Sequence, residues 1–178
     1  MSKTNNYVFT GLLIVAWIIF VGLCIEAGGL VVNFIYSLYK PHVVQNLYQK
    51  LDLMPIFHKS KWIFYCLYSF ILSLAILKSL LFYQLVILLH KMDLEKPFNS
   101  FVSDKISQIS YCTLSVGIVG YLARQFTNYL NHRDLTTNHI EQFWVDSNAF
   151  ILMGAVIYVI AVIFKKGVDL QTENDLTI

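Results

Sequence analysis

The sequence predicts an all-α membrane protein: four transmembrane helices in a bundle, with long helices 1 and 2 and a small helical extracytoplasmic cap. Three observations predict it. Of the 178 residues, 57% are hydrophobic and only 13% charged, where soluble domains usually carry about a quarter charged residues. Four apolar stretches approach or exceed the ~20 residues that cross a bilayer core of roughly 30 Å. A segment in lipid must satisfy its own backbone hydrogen bonds, so each stretch is expected to be a helix.

The first span, about residues 8–39, reads "VFTGLLIVAWIIFVGLCIEAGGLVVNFIYSLY". It is too long for a cleavable signal peptide and lacks a small-residue cleavage site. As one helix it would be about 48 Å long, so the excess must tilt, kink or stand outside the bilayer. "EAGG", Glu26 to Gly29, is the expected flex point, because glycine weakens helices. The connector "HVVQNLYQKLDLMPIFHKSK" stays rich in apolar residues. It predicts the cap, with a short helix near Val43 to Leu51 and punctuation at Pro41 and Pro55.

The second span, about 62–90, is interrupted by Lys78. The turn after it, "KMDLEKPFNS", is tight, with Pro97 breaking the helix direction and Asn99, Ser100 or Ser103 placed to cap the next helix. The third span, about 106–130, is the most polar. Its "SYCTLSVGIVGYLA" puts Thr113 and Gly117 four apart, a spacing that lets helices approach closely in lipid. Gly154 plays the same part in the fourth span, about 147–165. Lys165-Lys166 suits a helix C-terminus, and Gly167 suits the left-handed position that follows one. The whole chain, 1–178, is expected to be a single domain, with residues 166–178 as an acidic cytoplasmic tail.

Four spans put both termini on one side. Lys3, Lys91, Lys96, Lys105, Lys165 and Lys166 then face Lys40, Lys50, Lys59, Lys61 and Arg133 across the bilayer. This bias favours cytoplasmic termini, since positive residues concentrate inside.

Glu26, Lys78 and Arg124 fall within spans, where a lone charge costs about 2.5–3.5 kcal/mol and usually finds a partner or a cavity. By helical rise, Glu26, Arg124 and Asp146 lie near the outer boundary, with Lys78 deeper. The expected cluster is Arg124 held by Glu26, Asp146 or both, with Lys78 contributing from below. Two alternatives stay open: Lys78 snorkels along its own stem, with Arg124 and Asp146 merely interfacial, or the charges serve sensing or transport.

Other chemistry is sparse. The net charge of +2 suggests no direct nucleic-acid binding. Cys24, Cys66 and Cys112 sit in separate spans and form no disulfide or zinc framework. His42, His58, His132 and His139, with Asp134 nearby, lack compact ligand spacing, so no metal and no cofactor is expected. Trp17, Trp62 and Trp144 read as interfacial or packing residues. No phosphate loop, nucleophile elbow or zinc-protease helix occurs. The chain is not expected to be an enzyme.

The tail "VDLQTENDLTI" alternates apolar Val168, Leu170, Leu176 and Ile178 with polar residues, a period compatible with a strand that pairs. Its acidic Asp169, Glu173 and Asp175 and apolar tips suggest a docking peptide, although a disordered solvated terminus fits as well.

"KKGVDLQTENDLTI" resembles the closing segment of the bacterial family labelled domain of unknown function 2975. "LLHKMDLEKPFNSFVSDKIS" resembles that family's short inner connection. "YLARQ" and "FWVDSNAFILMGAVIYVIAVIFKKG" are similar to a Bacteroidetes-like branch. The likeness covers nearly the whole chain, most specifically the tail and the Pro97-Phe98 turn. It implies a four-helix inner-membrane protein without established activity, whose gene neighbours one for a small helix-turn-helix regulator. The motif residues carried over are Pro97 and Phe98 in the inner turn and Gly167, Leu170, Asp175, Leu176 and Thr177 in the tail. The expected role is a regulatory or sensory membrane partner of such a regulator. The alternative is a small transporter, channel or immunity-type membrane protein working through its intramembrane charges. A homo-oligomer fits either.

Overall fold

A computed structural model of the chain describes residues 3–40, 44, 53–92, 97–133, 140–144 and 146–175. The elements run α1 (Lys3–Tyr39), α2 (Met54–Lys59), α3 (Lys61–Lys91), α4 (Ser100–Asn131), a 3-10 turn (Glu141–Phe143) and α5 (Ser147–Asp175). No strand occurs among the described residues. Four helices are long and apolar enough to cross a membrane.

α1, α3, α4 and α5 have 37, 31, 32 and 29 residues. All four therefore exceed the length a bilayer needs, not the first two alone. Lys91 and Lys165-Lys166 mark one edge of the apolar slab. A core of roughly 30 Å measured from them ends about the level of Ile71, Gly120 and the start of α5. The rest of α3 and α4 and the short α2 lie beyond that level as a cap, with the apolar end of α1 beside them.

That cap holds most of the larger hydrophobic core. Leu53, Ile56, Phe57, Phe64, Leu67, Tyr68, Leu130 and Ile140 are buried there, and Leu30 closes it from α1. Rings of Phe57, Phe64, Tyr65, Tyr68 and Phe34 pack in succession, with Phe34 stacked on Tyr68 at 5.1 Å. Tyr68 donates its hydroxyl to the Leu30 carbonyl at 3.0 Å, pinning α3 to α1. Pro55 lies in the first turn of α2, where its missing N–H costs nothing.

Inside the slab the packing changes character, because lipid gives apolar side chains no reason to leave it. α4, the least apolar span, is central: 39% of its most apolar window is buried, against 6% for α1. α4 packs on both α3 and α5, whereas α1 lies along α3. The α4–α5 seam is built on missing side chains. A Cβ on Gly117 would lie 2.6 Å from the Ile151 nitrogen, one on Gly154 2.8 Å from the Leu114 nitrogen, and one on Gly120 3.0 Å from the Ser147 Cβ. Ser110 donates across the seam to the Gly154 carbonyl at 3.0 Å. Thr113 and Thr127 satisfy their hydroxyls on their own helix, at 2.7 and 2.8 Å.

Several expectations are corrected. α1 runs through Glu26–Gly29 without a break, because an interrupted backbone in lipid would leave polar groups unmet. α5 does not stop at Lys166: Gly167 is inside the helix, which continues to Asp175. The described part of the tail, residues 166–175, is therefore neither strand nor coil. Of the short helix expected near Val43 to Leu51, only Val44 is described, as a buried 3-10 residue. Of the three residues expected to cap α4, Asn99 does so: its side-chain oxygen accepts from the Val102 N–H at 2.9 Å.

Candidate functional site

Two places collect the polar and motif residues. The first is where α5 begins. Trp144 and Asp146 lead into the helix, and the Asp146 carbonyl accepts from the Phe150 N–H at 3.1 Å. A small cavity opens there, lined by Leu74 and Lys78 from α3, Val116 and Gly120 from α4, and Trp144, Asp146, Ser147 and Phe150. Gly120 makes room for it by letting Ser147 come close. The Lys78 ammonium lies 6.0 Å from the centre of the Phe150 ring, a cation–π distance.

Trp144 and Ser147 are each only 3% exposed. The Trp144 indole nitrogen and the Ser147 hydroxyl have no hydrogen-bond partner among the described residues. Such buried orphans are uncommon and call for a cause. Neither residue stood out in the sequence for this role. The available signal was a serine one position after an intramembrane-level aspartate, three residues beyond a tryptophan.

The four expected cluster charges fall in different surroundings. Lys78 and Asp146 share the cavity. Arg124 lines a separate recess with Asn128, Glu141 and Trp144. Glu26 lies on α1, half-exposed, and lines neither. No ion pair joins these four charges to one another among the described residues. The alignment of Phe20 with Tyr83 and of Leu30 with Tyr68 places Glu26 at about the level of Leu74, a turn from Lys78, on the helix outside α3.

The second place is the end where the termini emerge. Phe98, from the turn before α4, packs its ring against Phe164 at 5.0 Å. It also covers Gly167, where an added Cβ would meet the ring at 3.2 Å. The turn and the tail thus meet each other at the base of the α5 extension. Pro97 precedes this contact and is partly exposed. Leu170 stands out at 61% exposure, Asp175 closes the helix, and Leu176 and Thr177 lie outside the described residues. Nearby, Lys105 donates to Gln84 and Gln108 at 2.8 Å each, joining α4 to α3 at the same end.

No group of three histidine, cysteine, aspartate or glutamate side chains is placed to hold a metal among the described residues. Fold and surface together define the class: an α-helical, multi-pass membrane protein with a polar joint near one boundary and a helical extension at the other end. The chain belongs to the family described as protein of unknown function (DUF2975), whose model matches residues 45–178. The match begins after α1. No curated protein and no solved structure matches the chain.

Proposed function

We propose that this protein is a non-catalytic regulatory partner in the bacterial inner membrane, with cytoplasmic termini, that docks a small helix-turn-helix regulator on its α5 extension. The observation that carries the reading is the continuation of α5 from Lys165 to Asp175, braced at Gly167 by Phe98. A disordered tail pays ordering entropy when it binds; a preformed helix pays less.

The extension presents Asp169 and Glu173 with the exposed Leu170 between them. An acidic helix with an apolar contact suits the basic surface that a regulator turns toward DNA, and would compete with DNA for it. The resemblance to a family whose genes neighbour such regulators supports the choice of partner. Deleting residues 169–178 should leave membrane insertion unchanged and abolish co-sedimentation of the neighbouring regulator with membranes. Undiminished co-sedimentation would falsify the reading.

A further inference from the structure

We propose that the cavity at the start of α5 is a binding site for a single water molecule, which joins Lys78 of α3 to Asp146, the residue just before α5. Trp144 and Ser147 are its fixed partners. The cavity holds about 10 Å³, the space one water needs. Trp144 and Ser147 both line it and are buried, and the Trp144 indole N–H and the Ser147 hydroxyl have no hydrogen-bond partner among the described residues. An indole N–H can only donate, so its partner must be an acceptor.

The neighbours select the ligand. Lys78 and Trp144 offer only donors, which disfavours a metal ion. Asp146, which lines the same cavity, carries a carboxylate, which disfavours an anion. Water alone accepts from Trp144 and Lys78 while donating to Asp146, with Ser147 able to do either. That gives it the two to four partners a buried water requires. The absence of a direct Lys78–Asp146 ion pair fits the same arrangement, since polar groups too far apart for contact are often bridged by water. Gly120 contributes by having no side chain where the site must form.

The site can be read directly by magnetic resonance on tryptophan-labelled full-length protein in nanodiscs. Trp144→Phe identifies the Trp144 indole signal; Trp17 and Trp62, 47% and 84% exposed, are internal references. The expected result is a cross-peak from the Trp144 indole proton to a long-lived water, unchanged when chloride is replaced by gluconate. Ser147→Ala should weaken that cross-peak and hasten exchange of the indole proton. A missing water cross-peak overturns the proposal, and a chloride-dependent shift would assign an anion instead. As a second arm, Lys78→Met and Asp146→Asn should each lower the melting temperature in detergent by about 2–4 °C. The double variant should lose no more than the worse single one; additive losses overturn the bridge.

Discussion

At the residue scale, the same residue type does opposite things at the α4–α5 seam and on α1. Gly117 and Gly154 sit where any side chain would strike a neighbouring backbone nitrogen, which cannot swing aside as a side-chain tip can. Gly11 and Gly22 on α1 have nothing within 4 Å of a built Cβ. Gly117→Ala should therefore lower stability by about 1–3 kcal/mol, the usual cost of overpacking. Gly22→Ala should be neutral or stabilising by up to about 1 kcal/mol, since alanine is the better helix former and meets nothing there. Reversible unfolding in mixed micelles measures both, and equal losses would show that the seam is looser than drawn. Tyr68→Phe removes one hydroxyl from Leu30 and should cost about 0.5–1.5 kcal/mol, read in the same assay. The small residues were visible in the spacing; the structure sets Gly117 and Gly154 against the facing helix, while Thr113 is buried with its hydroxyl on its own helix. Trp144 and Ser147 were not legible: their meaning comes from a loss of partners, which only three-dimensional neighbours reveal.

At the element scale, α5 shows where sequence signals compete. Lys-Lys-Gly reads as a helix end, yet one interior glycine costs only about 1 kcal/mol relative to alanine. The ring of Phe98 covers that bare position, and the residues beyond it carry the helix on. The alternation of Val168 and Leu170 was misleading for the same reason: period two over so few residues does not outweigh a helix already nucleated upstream. If Phe98 braces the extension, Phe98→Ala should speed amide exchange in residues 168–175 while leaving 147–160 protected. Exchange detected by mass spectrometry in nanodiscs distinguishes the two segments, and equal protection in both proteins would mean the extension needs no brace. In α1 the opposite competition is won by lipid. The Glu26–Gly29 segment reads as a hinge by composition, but its backbone has no other partner than its own helix.

At the scale of the whole molecule, the four spans were legible from length and hydrophobicity, while the division of labour along them was not. Composition cannot say that the larger core gathers at the α2 end of the helices, because that depends on how α3 and α4 align. Three native cysteines test the placement. From Lys91 to Cys66 the helix rises about 37 Å, more than the roughly 30 Å of hydrocarbon, and Cys66 is exposed. Cys24 lies in the groove beside Ile76 and Ser79, and Cys112 lies on α4 below Gly117, so both sit within the slab. A water-soluble maleimide should therefore modify Cys66 in membranes and spare Cys24 and Cys112, as read by peptide mass. Used on intact cells, an impermeant reagent also tests orientation. With cytoplasmic termini, Cys66 faces outward and is labelled without lysis. Labelling that requires lysis would invert the molecule, and with the α5 extension outside, no cytosolic regulator could reach it.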